Sequence, residues 1–65
     1  MPLSEVAVGE LVTHLCEMAK RVPNNSIAVG TFITTIKGVI SVVPQLEEPQ
    51  IIAKFIKSII AIGAE

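Results

Sequence analysis

The chain has 65 residues, 51% of them apolar, with five Lys+Arg against six glutamates, two aromatic residues and a formal net charge of −1. It holds one small domain, residues 1–65, near the lower size limit at which a single hydrophobic core offsets chain entropy, so help from a second copy or another protein is an early expectation. A mean hydropathy of +0.68 with 17% charge disfavours disorder, a lone cysteine excludes an intrachain disulfide, and cations dispersed among carboxylates argue against nucleic acid.

Two proline-containing polar breaks, Val22-Pro23-Asn24-Asn25-Ser26 and Pro44-Gln45-Leu46-Glu47-Glu48-Pro49, divide the chain into three segments of similar length. Both breaks combine residues that stop one helix with residues that start the next. The first segment, residues 4–21, winds into an amphipathic helix. Ala7, Val8, Leu11, Val12, Leu15, Met18 and Ala19 gather on one side, and Glu5, Gly9, Glu10, Thr13, Glu17, Lys20 and Arg21 on the other. Ser4 suits the N-cap, and Glu17 and Arg21 have the spacing of an i,i+4 ion pair.

The second segment, residues 26–43, carries two conflicting signals. Thr31 to Ile36, then Lys37-Gly38, then Val39 to Val43 reads by propensity as a β-hairpin of β-branched residues. By periodicity it reads as a helix, because Val29, Phe32, Ile33, Ile36, Val39, Ile40 and Val43 fall within an arc of roughly 120°. Paired as strands, the same residues would scatter over both faces and leave open edges. Helix is the reading adopted, with the hairpin as its alternative. In the helix Ser26, Gly30, Thr34 and Gly38 recur every four residues as a ridge of small side chains. Such a ridge either admits a close neighbouring backbone or is simply an exposed face.

The third segment, residues 49–62, starts at Pro49 with Glu47 and Glu48 near its positive end. Ile51, Ile52, Ala53, Phe55, Ile56, Ile59, Ile60 and Ile62 span roughly 200°, more than the edge helix of a three-helix bundle can bury. Ile52, Ile56 and Ile60, with Ala53 beside them, are therefore expected to remain as a contact surface after the intrachain core is made.

Chemistry is sparse. His14 and Cys16 project about 160° apart on a helix, so they form neither a nucleophile–base pair nor a shared metal site. His14 reads as a border residue within i,i+4 reach of Glu10, and Cys16 as a small packing residue. Glu47-Glu48 is accounted for by a helix start, and the glycines make no phosphate loop. No catalytic role, metal or cofactor is expected. Every apolar stretch is too interrupted by charge to span a membrane, and the N-terminus lacks the basic and apolar pattern of a secretory signal, so the cytoplasm is the expected location. Asn24-Asn25-Ser26 matches a glycosylation triplet, which would matter only on export.

The stretch from Gly9 to Pro44 loosely resembles the helical N-terminal signalling regions of plant and fungal immune receptors, through its apolar spacing and Pro44. That resemblance implies an oligomerising and membrane-directed bundle. The residues themselves lead to an all-α, compact three-helix antiparallel (up-down-up) bundle completed by self-association. Its expected function is non-catalytic interaction with its own copy or another helical protein. The competing expectation is a bundle active at the membrane surface, with Lys54 and Lys57 on the polar strip of the third helix; the net negative charge and the lack of Trp and Tyr weigh against it.

Overall fold

The computed structural model describes residues 3–64 and contains three α-helices: α1 Glu5–Ala19, α2 Ser26–Val42 and α3 Pro49–Gly63. A 3-10 turn, Pro44–Glu47, joins the last two, and no strand forms among the described residues. The second segment is therefore helical from Ser26 to Val42, and periodicity outweighs the β propensity of its residues.

Each boundary has a local cause. The Ser4 hydroxyl accepts a hydrogen bond from the Ala7 N–H at 3.1 Å, and the Asn25 side-chain oxygen accepts from the Ala28 N–H at 2.8 Å. Both residues have extended backbone, as N-caps do. The first helix stops at Ala19, two residues short of the expectation. The N–H groups of Lys20, Arg21 and Val22 turn to carbonyls three residues back, at 3.2, 3.0 and 3.2 Å. Pro23 follows and disfavours helical backbone at the residue before it. Val43 leaves the helical region at φ −122° and ψ 81° ahead of Pro44 for the same reason. In α3, Pro49 occupies the first turn, where its missing N–H costs nothing, and the Glu48 carbonyl accepts from Ile51 and Ile52 at 2.9 and 3.0 Å.

The helices run up, down, up. The start of α1 lies beside the start of α3, where Val8 and Val12 share a cleft with Glu48 and Ile51. The end of α1 lies beside the end of α3, where Cys16 and Ala19 meet Ser58 and Ile62. The core comprises Val12, Leu15 and Ala19 of α1, Phe32 and Ile36 of α2, Phe55 and Ile62 of α3, and Leu46. Contact between helices is uneven: α1 packs mainly on α3, α2 reaches α3 and the turn, and α1 and α2 hardly meet.

The break between α2 and α3 differs from the polar connection expected of it. Its 3-10 turn touches all three helices, and Leu46 at its centre is 0% exposed, the most buried residue of the core. An apolar side chain on a connection can plug the end of a bundle where the helices diverge. Hydrophobic burial needs no regular element, only removal from water. The expected pair of Glu17 with Arg21 is also replaced. Arg21 lies beyond the helix, and Glu17 instead pairs with Lys20 at 3.1 Å, an exposed contact of small energetic consequence.

Candidate association surface

Of the four α3 residues expected at a contact surface, Ile56 and Ile60 are 51% and 64% exposed, and Ala53 is also exposed. Ile56 and Ile60 are four positions apart, which puts them one above the other on a single helix face. Ile52 is half-buried and packs against the core cluster. The cause is its position on the flank of α3 nearer to the centre of the buried arc, which runs through Ile51, Phe55, Ile59 and Ile62. The surplus on α3 is thus narrower than the sequence implied, with two isoleucines rather than three.

The surplus is also not confined to α3. Val6 of α1 is 71% exposed, and Ile27 and Val42 of α2 are 82% and 79% exposed. Sequence reasoning missed these residues as surface features. All three lie in the first or last turn of a helix and off its buried arc, so the signal was their absence from the periodic set. Met18 departs in the other direction. It belongs to the periodic face of α1 yet is 46% exposed, because the gap between α1 and α2 leaves that flank open. A shallow apolar groove results, lined by Met18, Val22, Pro23, Ala28 and Phe32, with Arg21 beside it.

The small-residue ridge on α2 faces outward. Ser26, Gly30, Thr34 and Gly38 are all exposed, and a Cβ added to Gly30 or Gly38 would meet nothing within 4 Å. No helix of the same chain uses this ridge for close packing. The hydroxyls along α2 turn inward to its own backbone: Thr31, Thr34 and Thr35 donate to the carbonyls of Ile27, Gly30 and Thr31 at 3.0, 3.0 and 2.9 Å, and Ser41 donates to Gly38 at 2.7 Å. With these four hydroxyls engaged and Lys37 as its one charge, α2 presents an unusually neutral surface.

His14 is exposed on α1. Cys16 is half-buried and lines a cavity of about 200 Å³ with Lys20, Ser58 and Ile62, smaller than the clefts of roughly 300–1,000 Å³ that hold small molecules. Among the described residues no group of three or more His, Cys, Asp or Glu side chains gathers. No described helix is long and apolar enough to cross a membrane.

No family model matches the chain, and neither a curated protein nor a solved structure is significantly similar to it. The likeness of residues 9–44 to immune-receptor signalling regions therefore has apolar spacing and Pro44 as its whole basis. What the fold defines is a class: a small all-α bundle of three helices.

Proposed function

We propose that this chain is a non-catalytic self-association module of the cytoplasm, in which α3 docks through Ile56 and Ile60 on a second copy. The observation that carries the reading is this pair of large aliphatic side chains, both more than half exposed and stacked on one helix face. Fully burying an isoleucine contributes about 1.5–3 kcal/mol, and about half of each is still available. Association costs about 4–15 kcal/mol in lost freedom, so the two residues act as anchors of a wider contact that takes in Ala53 and the rim at Ile52. The near-neutral net charge adds little long-range repulsion between copies.

Sedimentation velocity of the full chain tests this directly. The wild type is expected to sediment as a dimer or larger species, and Ile56→Glu and Ile60→Glu as helical monomers. A monomeric wild type, or variants that keep the wild-type mass, overturns the reading. Exposed apolar residues on all three helices favour one alternative, adsorption to a membrane surface. Helix-dependent co-sedimentation with anionic liposomes by a chain that is monomeric in buffer decides for that alternative.

A further inference from the structure

We propose that α2 is a conformational switch. It leaves the bundle before α1 and α3 separate, and once released it pairs as β-strands with the same segment of a second copy. This inference concerns residues 31–43 and is independent of the α3 contact.

Three observations on α2 converge. Its composition opposes its conformation: four Ile, three Val and three Thr make ten of its 17 residues β-branched, and Gly30 and Gly38 lower helix propensity further. Neither glycine has a packing reason, since both have open space where a side chain would stand. The helix is therefore held by tertiary contacts, and these are lopsided. Phe32 and Ile36 are its buried residues, with Val29, Val39 and Ile40 partly buried against the core, and it touches α3 and the 3-10 turn while hardly meeting α1. By contrast α1 and α3, parallel neighbours, share the larger packed surface and keep Val12, Leu15, Ala19, Phe55 and Ile62 together. Pro23 and Pro44 interrupt helix continuity on both sides, so melting of α2 need not propagate into α1 or the 3-10 turn. Elements with few buried contacts are the ones that open below the global unfolding free energy.

Released, the segment has the composition of a cross-β core. Thr31 to Ile36 and Val39 to Val43 are two short runs rich in β-branched residues, with no proline and no charge. Between them stands Lys37-Gly38, a turn signal. In the native bundle the threonine hydroxyls are tied to helix carbonyls. In paired strands Thr and Ile side chains stack with identical neighbours in dry interfaces. α3 is the competing candidate, but Lys54 and Lys57 interrupt its middle and Pro49 stands at its start.

Residue-resolved hydrogen exchange of the full chain, followed by incubation under mildly destabilising conditions with thioflavin T fluorescence and protease mapping, tests both halves. The interior amides of α2 are expected to exchange about tenfold or more faster than those at Val12, Leu15 and Phe55. The aggregated product is expected to give a meridional reflection near ~4.7 Å and a protected core within residues 31–43. Gly30→Ala combined with Gly38→Ala should lower the opening equilibrium by about twentyfold and lengthen the lag. Thr34→Lys, on an exposed helical position, should leave native helicity unchanged while blocking the dry interface and delaying aggregation. Exchange of α2 together with α1 and α3 in one step, a protected core in α3, or the absence of β-structure overturns the proposal.

Discussion

Gln45 donates through its side-chain nitrogen to the Leu3 carbonyl at 2.8 Å, tying the start of the chain to the 3-10 turn 42 residues later. The bond joins the lead-in to α1 to the connection between α2 and α3, and so fixes where the first helix begins relative to the third. Gln45 is half-buried, but the bond itself lies at the surface beside exposed Leu3, so its net contribution is modest. Gln45→Ala should cost about 0.5–1.5 kcal/mol in urea unfolding and speed exchange of the amides following Ser4. Unchanged stability together with unchanged protection in the first turn would show that the tether does not hold the helix start.

Next to Gln45, Leu46 is the residue on which the arrangement of all three helices most depends. It is fully enclosed, and its turn touches every helix. Leu46→Ala should cost about 2–5 kcal/mol, most or all of the roughly 3–5 kcal/mol that a core of this size supplies. Far-UV circular dichroism should therefore show a largely unfolded chain at room temperature. Leu46→Met, which nearly conserves volume, should lose less than about 1.5 kcal/mol and remain folded. Retention of full helicity by the alanine variant would mean that the turn is not integral to the core.

Asn25 caps the helix that most needs help. Because α2 combines β-branched residues with two glycines, loss of its cap cannot be absorbed by intrinsic propensity. Asn25→Ala should destabilise by about 1 kcal/mol, with Asn25→Gly costing only a few tenths. Ser4→Ala should have an equal or smaller effect, because α1 is anchored along its length by α3. Thermal unfolding of the three variants side by side checks the order; Asn25→Ala indistinguishable from wild type would remove the cap from the account.

Much of the secondary structure was legible in the residues. Ser4, Pro49 and the Asn25-Ser26 pair mark helix starts by chemistry that acts within a few residues, and the structure assigns the second cap to Asn25. The 3.6-residue recurrence of Val29, Phe32, Ile36 and Val43 outweighed the strand propensity of the residues around them. The reason is that a buried apolar stripe must be continuous, and only helical winding makes this one continuous. The exposure of Ile56 and Ile60 follows from the same periodicity, since their helix carries more apolar circumference than two neighbours cover.

Distances between helices decided the rest, and no local pattern encodes them. Met18 has the right period for the core but faces a gap, because α1 settles on α3 rather than on α2. Ile52 stood with the surplus until the flank of α3 met its neighbours. Leu46, a single apolar residue between prolines and glutamates, carried no periodicity to betray its burial. It became the centre of the core because three helix ends converge on it, a fact of tertiary geometry alone.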